Sequence, residues 1–71
     1  MNSTTQINKV IDEYIHKRTD RDVMRIYLTD HPGSLEKIAE ETELSVSTVK
    51  RIINRNSFIY KYFPDKESKM N

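Results

Sequence analysis

From residue 45 to residue 55 the chain reads Ser45-Val46-Ser47-Thr48-Val49-Lys50-Arg51-Ile52-Ile53-Asn54-Arg55, which combines hydroxyls, cations and an amide without a carboxylate. These groups hydrogen-bond and carry charge; they form neither a nucleophile with its base nor a metal-ligand set. Hydroxyls and cations suit phosphate oxygens. An arginine fork matches the two acceptors of guanine, and an asparagine amide can donate and accept at a base edge. At about 100° per residue, Val49, Ile52 and Ile53 fall on one side of a helix. Ser47, Arg51 and Asn54 lie directly opposite, flanked by Lys50 and Arg55, with Thr48 at the rim. The spacing predicts a helix that buries its aliphatic side and offers the other to a DNA duplex. The bland alternative is an ordinary solvated face.

Such a helix needs elements to hold it. Ser34 is placed to cap a preceding helix over which Leu35, Ile38, Ala39 and Thr42 share one face, while Glu36, Lys37, Glu40 and Glu41 share the other. Ala39 is small at the centre of the inner face and permits a close crossing. Glu43-Leu44-Ser45 is the expected turn, with Leu44 pointing inward and Ser45 capping the next helix.

Upstream, Ile7, Val10, Ile11, Tyr14 and Ile15 form one helical stripe over about Thr5 to Lys17, with Thr4 or Thr5 as cap and Glu13 placed to pair with Lys17. Thr19 and Asp22 have the spacing of a capping box, which predicts a second helix from about Asp20 to Thr29 burying Val23, Ile26, Tyr27 and Met24. A break near Arg18-Thr19 is expected, with one bent helix from Thr5 to Thr29 as the alternative. His31-Pro32-Gly33 ends this region, because proline cannot continue a helix and glycine tolerates the turn. Downstream, residues 57–63 hold Phe58, Tyr60, Tyr62 and Phe63. As a helical turn capped by Ser57 they put Ile59, Tyr62 and Phe63 inward, completing a thin core or making a dimer contact. The fold class expected is all-α: three to five short helices around a central helix-turn-helix, without a substantial sheet. Residues 1–64 form one domain and 65–71 a frayed tail.

The formal net charge of +1 says little, but its distribution is uneven. Residues 35–43 set Glu36, Glu40, Glu41 and Glu43 against Lys37, whereas 44–64 hold Lys50, Arg51, Arg55 and Lys61 without an acid. A positive field on one element is how a nucleic-acid footprint looks. At 71 residues a chain buries only about 60% of its unfolded surface, which leaves little for a deep catalytic cleft. The absence of cysteine excludes disulfides and thiolate metal sites. No apolar run approaches the length of a membrane span, and the first residues lack the pattern of a secretory signal. His16 and His31 have no spacing that would hold a metal, and Asp12-Glu13 and Glu40-Glu41 read as solvated carboxylates. The expectation is a non-enzyme without metal, cofactor, small-molecule substrate or membrane.

Residues Ser34 to Asn54 resemble the DNA-binding headpiece of lactose-repressor-type regulators through Ile38-Ala39, Leu44-Ser45, Thr48-Val49, Arg51 and Asn54. The layout, with Tyr14-Ile15 and Arg18-Thr19 upstream, is also similar to that of bacterial sporulation regulators of the stage III, type D kind. The headpiece resemblance implies phosphate contacts from Ser34, Ser45 and Thr48 and base reading by Arg51. Val46 and Ser47 stand at base-reading positions with different chemistry, so no target sequence carries over. Glu43 departs from the glycine usual in such motifs. With the outer-face residues added, the base-reading candidates are Val46, Ser47, Lys50, Arg51 and Asn54. The phosphate candidates are Ser34, Ser45, Thr48, Arg55 and Lys61. The function this implies is sequence-specific binding of double-stranded DNA by a small bacterial or phage transcriptional regulator, cytoplasmic and nucleoid-associated, acting as two copies on DNA. The alternative is a protein-interaction module, such as an antitoxin, an inhibitor or a phage factor, using the helical hairpin or the aromatic segment 58–63.

Overall fold

The computed structural model describes residues 3–30 and 32–63, and every regular element among them is helical. His31 and the expected tail lie outside the described residues. Among the described residues no helix is long and apolar enough to cross a membrane.

Helix α1 spans Thr4–Tyr14 and opens on a reciprocal cap. Ser3 Oγ accepts the Gln6 backbone N–H, and the Gln6 side chain accepts that of Ser3, both at 3.1 Å. Ser3 therefore takes the role expected of Thr4 or Thr5, because Gln6 stands three residues beyond it. The helix ends at Tyr14 and not at Lys17; Ile15 is extended, and its side chain is buried. Arg21 Nη1 donates to the carbonyls of Ile15 (3.1 Å) and His16 (2.8 Å), supplying donors where the helix has stopped. Lys17 thus lies outside α1, and the helical pairing expected with Glu13 does not arise.

Helix α2 runs Arg18–Arg25, so residues 4–30 form two helices and not one bent rod. Its N-cap is Lys17, without a side-chain cap, and the Thr19–Asp22 capping box is not formed. Thr19 is already inside the helix, whose phase carries Asp20, Val23 and Met24 inward. A wider π-helical turn, Ile26–Asp30, continues it, with the Thr29 hydroxyl bound to the Arg25 carbonyl at 2.6 Å. Gly33 follows at φ +90, a conformation rarely adopted by L side chains, and turns the chain into the next helix.

Helix α3, Leu35–Thr42, is capped as expected, with Ser34 Oγ accepting the Lys37 N–H at 3.4 Å. It ends at Glu43, whose φ of 62 places it in the left-handed region. The N–H groups of Glu43 and Leu44 both return to the Ala39 carbonyl. Helix α4, Val46–Arg55, starts from Ser45, whose Oγ accepts the Thr48 N–H at 3.2 Å. A 3₁₀ turn, Ser57–Tyr62, closes the described chain. Ser57 does not cap it; its hydroxyl donates back to the Asn54 carbonyl at 3.0 Å. Ile59 and Phe63 are buried as expected, but Tyr62 is not. With three residues per turn, Tyr62 lies in the same row as Ile59 one turn on, where it stacks on Tyr14 of α1 with ring centroids 3.9 Å apart.

Helix α2 packs against α1, α3 and α4 and separates two apolar clusters. Val10, Ile11, Ile15, Met24, Ile59 and Phe63 form the first. Val23, Ile38, Ala39, Val49 and Ile52 form the second. Val23 and Met24, adjacent in sequence, face opposite clusters. The π turn repeats the division, sending Ile26 and Tyr27 to the second cluster and Leu28 to the first. Ile53 touches both. Each fully buried aliphatic side chain contributes about 1.5–3 kcal/mol by leaving water.

At the α3–α4 turn, Glu43 meets a left-handed geometry that costs an L-residue about 1–2 kcal/mol. Glycine relieves that strain and gives back part of the gain through a freer unfolded chain. Glu43→Gly is expected to be neutral or stabilising, by up to about 1 kcal/mol. Thermal unfolding checks this, and a lowered Tm would count against the turn.

Candidate nucleic-acid interface

The second cluster holds α4 by Val49 and Ile52, both buried, and by the half-buried Ile53. The opposite side is thereby left to water: Ser47, Lys50, Arg51 and Asn54 are all exposed. Four of the five base-reading candidates share this row. Val46 does not; it is half-buried and packs against the second cluster. That packing turns part of the side chain away from the row of the other four.

A chain of hydroxyls organises the start of α4. Ser45 Oγ donates to Thr48 Oγ1 at 2.9 Å and lies 3.3 Å from Ser47 Oγ. Arg51 Nη2 donates to the same Thr48 Oγ1 at 3.4 Å, one turn further on. With both lone pairs of Thr48 engaged, its own O–H remains to be donated outward. The Arg51 guanidinium is thus held toward the N-terminal end of the helix, where backbone N–H groups also favour an anion. Ser34, the remaining phosphate candidate on a cap, is exposed beside Glu36 in the first turn of α3. At the opposite end of α3, Glu41 and Glu43 line a groove with Thr19, Asp22, Arg25, Ile26 and Thr42, between α2 and α3.

Two of the phosphate candidates, Arg55 and Lys61, have partners within the domain. Arg55 Nε donates to Asp20 Oδ2 at 3.0 Å and its Nη2 to Asp20 Oδ1 at 2.9 Å, a two-pronged pair with a carboxylate only 4% exposed. Asn56, also buried, donates its amide to Asp20 Oδ2 at 2.9 Å and to the Ile52 carbonyl at 2.8 Å. Arg55 therefore anchors α4 to α2, and its charge is largely answered before any phosphate approaches. Lys61 stands with its Nζ 5.3 Å from the centre of the Tyr62 ring, beside the aromatic stack on α1. Among the described residues, Lys50 and Arg51 are the cations of the α4 face without a carboxylate partner.

Asp20 and Asn56 are the positioning residues that the sequence conceals. Asp20 reads as one surface acid among several, and its partners are 35 and 36 residues away. No local spacing announces the contact. Asp12 likewise does more than face water: its Oδ1 accepts Arg25 Nη2 at 2.6 Å, and Arg25 Nε donates to Asn8 at 2.8 Å, tying α1 to α2. Glu40 and Glu41 are exposed, as is His16. Among the described residues no group of three or more His, Cys, Asp or Glu side chains is arranged to hold a metal ion.

Comparison of the chain with protein-family models, with curated proteins and with solved structures finds no match. The class it can be assigned is therefore the one its coordinates define: a small all-α domain built around two helices joined by a tight turn.

The hydrogen bond from Arg55 holds the Asp20 carboxyl below its ordinary value, assisted by Asn56 and opposed by burial. A carboxyl depressed by folding adds stability that is complete above its unfolded value and lost as pH falls through the folded one. Asp20→Ala leaves one buried amide N–H of Asn56 without a partner and is expected to cost about 1–3 kcal/mol at neutral pH. Urea unfolding measures this. The gap between the two proteins should narrow as pH falls below about 3.8, the ordinary value of this carboxyl.

Proposed function

We propose that this domain binds double-stranded DNA, laying the outer face of α4 in the major groove as a small bacterial or phage transcriptional regulator. The observation that carries this reading is the exposed row Ser47, Lys50, Arg51 and Asn54, without a carboxylate on the helix and backed by the organised hydroxyls of Ser45 and Thr48. Arg51 is the guanine reader, with two N–H groups for the paired acceptors on the major-groove edge. Asn54 and Ser47 meet a neighbouring base or phosphate. Lys50 sits beside them as a further contact, and the free Thr48 O–H and the caps at Ser45 and Ser34 reach phosphate oxygens. Arg55 supports the helix from behind through Asp20. A single module of this kind covers roughly 600–1,000 Å² of protein surface, so selective binding requires two copies on one site. Association with the bacterial nucleoid follows from this reading.

Selection from random duplexes followed by fluorescence anisotropy tests it. Arg51→Ala should cost about 1–3 kcal/mol on the selected sequence and relax preference at one base pair. Were Lys50 and Arg51 both to meet phosphates, log K would fall against log salt with a slope of roughly −1.8 per domain; with Arg51 on a base edge the slope should be shallower, well short of the roughly −3.6 that four phosphate-bound cations would give. Failure to bind any duplex in a salt-dependent way would overturn the proposal.

A further inference from the structure

Among the described residues, the 3₁₀ turn leaves three aromatic rings partly exposed. Phe58 is 45% exposed, Tyr60 36% and Tyr62 40%, within five consecutive residues. Tyr62 lies nearly parallel to Tyr14 of α1, the planes 9° apart. Partial burial, the charge of Glu13 and the neighbouring Tyr62 together raise the pKa of the Tyr14 phenol. Glu13 immediately precedes Tyr14 on α1, and the Lys61 Nζ lies 5.3 Å from the centre of the Tyr62 ring. Both charged side chains are exposed, and no ion pair joins them within the domain.

An apolar stack bordered by one acid and one base has the composition of a self-complementary patch. In a two-fold interface the same surface meets itself, so residue i of one copy touches residue j of the other and the reverse. Aromatic side chains at the centre with charges at the rim are the usual anatomy of such contacts. We infer that the Tyr14–Tyr62 surface is where two copies of this chain associate, with Glu13 of each opposite Lys61 of the other. The partner is a second copy because the charges that complement the patch are those the patch already carries. The surface belongs to α1 and the 3₁₀ turn, and leaves the outer face of α4 free. The inference stands independently of the DNA reading.

Sedimentation equilibrium from micromolar to millimolar protein tests it. The wild-type chain should show a monomer–dimer equilibrium. Glu13→Lys and Lys61→Glu should each weaken association at least about tenfold by placing like charges face to face. The double exchange, Glu13→Lys with Lys61→Glu, should restore it. Lys50→Glu, on the α4 face, should leave the mass distribution unchanged. Circular dichroism on each variant establishes that it is folded; were either reversal to unfold the chain, Lys61→Ala would take its place and should still weaken the dimer. A wild-type chain that stays monomeric throughout, folded single reversals that associate normally, or a double exchange that stays monomeric would overturn the inference. Gel shift on a short duplex bearing one binding site separates the two proposals: DNA binding by a strictly monomeric chain sinks this one alone, and a dimer that binds no duplex sinks only the DNA reading.

Discussion

A carboxylate withdrawn from water must find donors, and Asp20 finds them at the far end of α4. Arg55 supplies a fork of two N–H groups and Asn56 a third donor, so the buried charge is matched on both oxygens. Because Asn56 also binds the Ile52 carbonyl, the last turn of α4 is closed by the same network that fixes it to α2. Apolar packing is tolerant of small rotations, whereas this pair is directional. Val49 and Ile52 decide which side of α4 faces inward; Asp20 restricts how the helix is set along α2.

The same arrangement divides the cations by task. Arg21 and Arg25 join elements, the first by covering carbonyls beyond α1 and the second by bridging Asn8 and Asp12. Arg55 is held by Asp20, and Lys61 lies by an aromatic ring. Among the described residues, Lys50 and Arg51 of α4 have no carboxylate partner, with Arg51 lightly tethered to Thr48. A tether of one long hydrogen bond orients a side chain without spending the donors that a ligand would need. The positive segment between residues 44 and 64 is thus less a uniform field than a pair of free charges above a fixed one.

The core is thin, and its economy lies in α2. By presenting Val23 to one cluster and Met24 to the other, a two-turn helix serves both halves of the domain. The π turn extends that service through Ile26, Tyr27 and Leu28, at the cost of a wider winding that Thr29 helps to satisfy. The 3₁₀ turn then covers the first cluster with Ile59 and Phe63, and its remaining aromatics are left outside. A helical turn with a three-residue repeat has three rows, and a small domain can bury only part of them.

Local rules made much of this legible in the residues themselves. The periodicities of α3 and α4, the caps at Ser34 and Ser45 and the left-handed turn at Glu43 all follow from contacts within a few positions, and each is present. The exposed row Ser47, Lys50, Arg51 and Asn54 follows from the burial of Val49 and Ile52 on the opposite side. Boundaries were less visible: Ser3, not Thr4 or Thr5, starts α1, and Lys17, not Thr19, precedes α2. At α2 the phase of the helix carries Asp20 inward to partners 35 and 36 residues away, which no neighbouring residue reveals. Sequence alone determined that the chain is helical and which face of α4 meets water, because those depend on spacing within single elements. Only tertiary structure decided that Arg55 is bound, that Val46 packs inward and that Tyr62 stacks on Tyr14, because each depends on a partner from another element brought near by the fold.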